Sequence, residues 1–99
     1  MSAGRKKAMY GKGRKKGVVR LSIQANGGAR NVAVAGSFSD WKPVRMKKQK
    51  DGSFAANVEV APGSHEYKFI VDGDWLMDPD NSAWALNPYG TLNSVMVVE

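Results

Sequence analysis

From Val18 onward, apolar residues recur at every second position. Val19, Leu21 and Ile23 fall on one side of an extended segment and Arg20, Ser22 and Gln24 on the other, the alternation expected of a half-buried strand. Asn26-Gly27-Gly28 supplies a turn, and Asn31 to Phe38, rich in Val and Ala, predicts a second strand with Val32 and Val34 inward, paired with the first as a hairpin. Ser39 to Pro43 interrupts the pattern and Val44 to Gln49 resumes it weakly. Asp51-Gly52 then turns the chain into a run with Phe54, Ala56, Val58 and Val60 inward. After Ala61-Pro62-Gly63-Ser64, the segment His65 to Val71 sets Tyr67, Phe69 and Val71 against Glu66, Lys68 and Ile70. Asp72-Gly73 makes a tight turn into a short segment from Trp75 to Met77, a polar loop spans Asp78 to Gly90, and Thr91 to Val98 closes the pattern. In that last run Leu92, Met96 and Val98 compete with Val95 and Val97 for the core, so a bulge or burial on both faces is expected there.

About seven short strands, with turn residues roughly every 8–12 positions and no helical apolar period, predict an all-β sandwich. A chain of 99 residues, 42% apolar, has room for one modest core. The sequence holds no cysteine, so disulfides and thiolate metal sites are excluded and a reducing, cytoplasmic setting is expected. No run approaches the roughly 18 apolar residues of a membrane span, and the basic start lacks the apolar stretch of a secretion signal. A soluble, unprocessed chain without membrane contact is the expectation.

Charge divides the chain in two. The net charge is +6, yet residues 1–17 hold seven basic residues and no acid, whereas residues 18–99 hold eight basic and nine acidic ones. The first segment repeats Gly-Arg-Lys-Lys at 4–7 and 13–16, and like-charge blocks with glycine cannot bury enough apolar surface to fold. The expected organisation is a disordered basic tail over 1–17 and a folded domain over 18–99. The tail supports an alternative role, an adaptor gripping nucleic acid or another phosphate-rich partner while the sandwich presents an edge to a protein.

Catalytic chemistry finds little to work with. A hydrolase reading needs two carboxylates flanking a bond with separated pKa values, and Asp40, Asp51, Asp72, Asp74, Asp78 and Asp80 all sit in predicted turns, where aspartate caps nearby amides. The cluster at 72, 74, 78 and 80 lacks the spacing and terminal glutamate of an EF-hand loop. His65 is the only histidine and reads as an ordinary strand residue; no Gly-x-Ser-x-Gly motif is present. No enzyme activity, cofactor or metal is expected. The three tryptophans are more informative. Trp41, Trp75 and Trp84 fall at or near turns and outside the alternating apolar stripes, where an indole either packs under a loop or offers a flat apolar platform to a ligand. Spacing leaves both readings open.

Four blocks then carry a resemblance. Val34-Ala35-Gly36-Ser37-Phe38-Ser39-Asp40-Trp41 with Pro43, Glu66-Tyr67-Lys68-Phe69-Ile70-Val71-Asp72-Gly73-Asp74-Trp75, Asp78-Pro79-Asp80-Asn81, and Asn87-Pro88-Tyr89-Gly90-Thr91-Leu92-Asn93-Ser94-Val95 occur in this order. Together they resemble the glycogen-binding domain of AMP-activated protein kinase β subunits, a carbohydrate-binding module of family 48 shared with the N-terminal modules of branching and debranching enzymes. The resemblance covers about Asn31 to Val98. It implies an immunoglobulin-like, early-set fold and non-catalytic binding of glycogen or starch-type α-glucan by tryptophan stacking. It puts the stacking on Trp41 and Trp75, and hydrogen bonds to sugar hydroxyls on Lys68, Thr91 and Asn93. Tyr89 stands where the kinase module has a leucine that wedges into the sugar helix, so stacking or hydrogen bonding by Tyr89 replaces that contact. Trp84 has no counterpart and stays outside the expected site. Ser2 gives no myristoylation signal, and without the family's usual barrel or kinase-binding segment in this sequence, the expectation is binding alone, as a free-standing module or as a piece of something larger, with a glucan-metabolising enzyme or kinase partner as the implied source of any attached activity.

Overall fold

A computed structural model describes residues 10–12, 17–25 and 28–99. Among them are ten strands: β1 (Tyr10–Lys12), β2 (Val18–Ile23), β3 (Val32–Gly36), β4 (Val44–Arg45), β5 (Lys47–Lys48), β6 (Phe54–Glu59), β7 (Gly63–Val71), β8 (Asp74–Leu76), β9 (Trp84–Leu86) and β10 (Leu92–Val98). They form two antiparallel sheets, one in the order β1-β2-β6-β5 and one in the order β4-β3-β7-β10-β9, with β8 also paired to β7. The result is an immunoglobulin-like β-sandwich. No described helix is long and apolar enough to cross a membrane.

The alternation in the sequence becomes the core. Val19, Leu21 and Ile23 meet Phe54 and Val58 from the first sheet, while Val32, Val34, Tyr67, Phe69 and Met96 close from the second. The rings of Tyr67 and Phe69 pack edge to face, centroids 5.8 Å apart, an arrangement favoured by the ring quadrupoles. Burying each such side chain contributes about 1.5–3 kcal/mol. In β10 the register with β7 runs unbroken from Ser94 opposite Tyr67 to Val98 opposite Gly63. Ser94 and Met96 are fully buried while Val97 is 64% exposed, so the strand needs no bulge; at its start Asn93 and Ser94, on opposite faces, are both buried, and there the strand is covered on both sides.

Two expectations are corrected. β2 and β3 are not a hairpin: β2 pairs with β6 and β3 with β7. The connection between them is captured by the other sheet, where Asp72 Oδ1 accepts hydrogen bonds from the amides of Arg30 (3.1 Å) and Asn31 (2.8 Å). The predicted strand Val44 to Gln49 divides at Met46, so that β4 joins β3 and β5 joins β6. Met46 is buried at the crossing and donates its amide to Val32 O, 2.8 Å; its apolar side chain fills the gap between the sheets. Within the tail expected to be disordered, residues 10–12 form β1, paired with β2 from Tyr10 opposite Leu21 to Lys12 opposite Val19. Gly17, the last residue of that segment, accepts the Val60 amide on its carbonyl at 2.8 Å; the rest of the expectation falls on residues 1–9 and 13–16, outside the described residues.

Asp78, expected as a turn aspartate, does receive the Asp80 amide at 2.9 Å, but it is also a buried node. Its other oxygen accepts from Tyr67 Oη at 2.6 Å, its amide donates to Ser94 Oγ at 2.7 Å, and Asn81 Nδ2 reaches both Tyr67 Oη and Val95 O. Burial pushes the Asp78 carboxyl up from its ordinary value, against the Tyr67 hydrogen bond that pulls it down. These bonds pin the Asp78–Ala83 loop beneath β10 and free the opposite face of the second sheet.

Candidate functional site

That opposite face is built on β7, whose Glu66, Lys68 and Ile70 point away from the core by the same alternation that sends Tyr67 and Phe69 into it. Asp72 (φ 49°) and Gly73 (φ 91°) are both left-handed, the backbone of a two-residue type I′ turn that favours an Asp-Gly pair. The hairpin sets Trp75 opposite Ile70, and so on the Lys68 side of the sheet.

Trp41 reaches the same face by another route. β3 ends at Gly36, where a Cβ would come within 2.5 Å of Glu66 O and 2.9 Å of Tyr67 Cβ; only glycine fits. A single 3-10 turn, Ser37–Ser39, follows, with Phe38 packed on the core beneath it. Asp40 (φ 56°) and Trp41 (φ 61°) then both take left-handed backbone, costing of order 1–3 kcal/mol each for non-glycine residues. Hydrogen bonds hold them there. Trp41 N donates to Gly36 O (2.9 Å), Lys42 N to Ser39 O (3.0 Å), and Ser39 Oγ lies 2.9 Å from Lys42 O and 3.2 Å from Gly36 N.

The third wall is the turn between β9 and β10. Asn87 Oδ1 accepts from the amides of Tyr89 and Thr91, both at 3.0 Å, and its own amide donates to Thr91 O at 2.8 Å. Gly90 takes the left-handed position (φ 83°). Lys68 Nζ donates to Thr91 Oγ1 at 3.2 Å, tying strand to turn.

These walls enclose an open groove of about 690 Å³. Trp41, Lys68, Trp75, Tyr89, Thr91 and Asn93, the six residues singled out in the sequence, all line it. Trp41 is 38% exposed, Trp75 48% and Tyr89 90%; neither indole belongs to the core, so both present accessible ring surface. Sequence reasoning missed Ser37, Ser64, Glu66, Asn87 and Pro88, which line it too. Glu66 was visible in principle, because it alternates with Lys68. Asn87 was not, because its role depends on hydrogen bonds of the folded turn. Trp84 lies opposite Ser94 in the β9–β10 register, on the other side of the sheet from Asn93, and takes no part.

His65 is structural. Its Nε2 lies 2.8 Å from Ala61 O, a pure acceptor, so Nε2 carries a proton and donates it there, while Nδ1 lies 3.1 Å from Ser37 Oγ. Among the groove residues Glu66 is the only carboxylate.

The family model described as the glycogen recognition site of AMP-activated protein kinase matches residues 19–99. The chain belongs to this family. The matched span begins at the first buried residue of β2 and takes in the rest of that strand, β3 to β10 and the whole groove, leaving out β1. Over 73 residues the chain is 33% identical to the 5'-AMP-activated protein kinase subunit beta-1 of Sus scrofa, covering 74% of this chain and 58% of that protein. Over 52 residues it is 46% identical to Protein PTST homolog 2, chloroplastic, of Arabidopsis thaliana, covering 52% of this chain and 10% of that one. The chain thus spans between 58% and 10% of these relatives' lengths. Among solved structures, a maltogenic amylase from S. marinus superposes with a TM-score of 0.73 at 26% identity, over 92% of this chain and 15% of the amylase. The sandwich is accordingly of the early-set, immunoglobulin-like type.

Proposed function

We propose that the chain is a non-catalytic module that binds glycogen or a related starch-type α-glucan in this groove. The observation that carries the reading is the convergence of two accessible indoles, Trp41 and Trp75, on a polar strip of Lys68, Thr91 and Asn93 in a family described by glycogen recognition. Each indole offers an apolar platform to the C–H face of a glucose ring. Burying roughly 80 Å² on each contributes about 2 kcal/mol, and the polar strip orients the stacked rings through their hydroxyls. Tyr89, at the rim, adds a third aromatic surface. The sum corresponds to a Kd of about 10 μM to 1 mM.

The non-catalytic part of this reading is supported by Glu66 being the single carboxylate among the described groove residues, since glycosidic hydrolysis uses a pair about 5–9.5 Å apart. In this reading the module's task is to hold an associated activity, such as a glucan-metabolising enzyme or a kinase, at a glucan surface.

Co-sedimentation with glycogen at low and high salt tests this. Stacking is nearly indifferent to ionic strength, so the protein is expected in the pellet at both. A folded protein that stays in the supernatant, or leaves the pellet as salt rises, contradicts it, because contacts to phosphates by a cationic arm weaken steeply with salt.

A further inference from the structure

The hydrogen bonds on the groove floor run in one direction. Asn87 Nδ2 donates to Asn93 Oδ1 at 3.2 Å, and Asn93 Nδ2 donates to Glu66 Oε1 at 2.9 Å. Both ends enforce that polarity. Glu66 as a carboxylate only accepts, so Asn93 must turn its nitrogen toward it and its oxygen toward Asn87. At the far end the amides of Tyr89 and Thr91 only donate, so Asn87 must give them its oxygen and turn its nitrogen to Asn93 and Thr91. Flipping either side-chain amide would set donor against donor or acceptor against acceptor.

The same logic orients Thr91. Its Oγ1 accepts from Asn87 Nδ2 at 2.6 Å and from Lys68 Nζ at 3.2 Å. Neither partner can accept, so the hydroxyl proton points elsewhere. The floor therefore offers donors from Thr91 Oγ1, from two remaining Lys68 N–H bonds and from one Asn93 N–H. Against them stands one charged acceptor: Glu66 Oε2 has no hydrogen-bond partner among the described residues.

We propose that Glu66 is a further ligand-binding residue of this groove, with Asn87 as its positioning residue, and that the pair makes the site specific for a vicinal diol. One oxygen of a diol takes a hydrogen bond from Lys68, Thr91 or Asn93, and a hydroxyl of the same diol donates to Glu66 Oε2. Rings without a free diol stack on Trp41 and Trp75 but leave the carboxylate desolvated and unpaired, which is costly. This rests on the glucan reading and adds to it the part of the sugar that is read.

The test uses the cyclic heptamer of α-1,4-linked glucose and its 2,3-di-O-methylated derivative, titrated by tryptophan fluorescence. Glu66→Gln keeps an oxygen for Asn93 and places a donor where Oε2 stood. Asn87→Asp keeps the acceptor for Tyr89 and Thr91 but removes the donor to Asn93 and Thr91. Wild-type protein is expected to prefer the unmodified ring by about tenfold or more, a charged hydrogen bond's worth. Both variants, at unchanged melting temperature, are expected to lose about tenfold in affinity for the unmodified ring and most of that preference. Variants that bind both rings as the wild type does overturn the proposal. Loss of binding in Trp75→Ala alongside normal binding and preference in Glu66→Gln overturns it and leaves the glucan reading standing. No binding of the unmodified ring by folded wild-type protein removes both.

Discussion

Trp75 stands directly across from Ile70 in the β7–β8 hairpin, so the two residues of its turn decide which face of the sheet carries the indole. Because strand side chains alternate, a change of register by one residue would send Trp75 to the core side.

Gly73→Ala tests that turn. Nothing lies within 4 Å of the added methyl, so only the left-handed backbone at φ 91° is strained. The expected cost is about 1–2 kcal/mol, read by urea unfolding, with weaker glucan binding. Gly73→Asn should cost less, since asparagine tolerates this backbone.

Gly36→Ala acts through a clash instead. The methyl would meet Glu66 O at 2.5 Å in a rigid β3–β7 pair, and neither backbone can yield without breaking the ladder. A loss of about 1–3 kcal/mol is expected, together with displacement of the turn that carries Trp41. Urea unfolding and quenching of the tryptophan emission by glucan report the two effects separately.

Much of this architecture is legible in the sequence. The stripes Val19-Leu21-Ile23 and Tyr67-Phe69 mark strands and their inward faces because alternation is a local property. Which sheet each strand joins is not local. β2 and β3 look like a hairpin until Asp72, more than forty residues away, draws their connection onto the other sheet, and Met46 marks a crossing only once both sheets exist. The site follows the same division. Trp41 and Trp75 stand out as aromatics outside the apolar stripes, whereas Asn87 is an ordinary loop asparagine until the turn folds around its side chain.

The buried carboxyl of Asp78 gives stability an unusual pH dependence. Its pKa in the folded chain lies above that of the unfolded chain, about 3.9, so the unfolded form ionises first as pH rises. Its contribution to stability is therefore largest below the unfolded pKa, falls as pH climbs to the folded one, and is flat beyond it. Asp72 and Asp51 work in the opposite sense. Amides of Asn31 and Arg30 hold the first below its ordinary value, and the Ser53 hydroxyl and amide hold the second; their stabilisation is present above the unfolded pKa and is lost as pH falls through the folded values. Asp78→Asn should remove the first component alone. It should also cost about 1–3 kcal/mol, because one amide oxygen cannot serve both Tyr67 Oη and the Asp80 amide. Urea unfolding of both proteins from pH 3 to 7 separates these effects.

Asp72→Ala frees the β2–β3 connection. The amides of Arg30 and Asn31 lose their acceptor, and hydrogen exchange at these two positions should speed up while core amides such as that of Phe69 stay protected. Unchanged exchange there would mean that other contacts hold the connection on the second sheet.

The central claim, that Trp41 and Trp75 are a stacking platform for α-glucan, is tested most directly by titrating the cyclic α-1,4-glucan heptamer into wild type, Trp41→Ala and Trp75→Ala, with a melting curve for each. Both indoles lie outside the core, so the variants are expected to melt as the wild type does and to lose roughly 2 kcal/mol of binding each, about thirtyfold in Kd. Folded variants that bind the glucan with wild-type affinity would contradict the account.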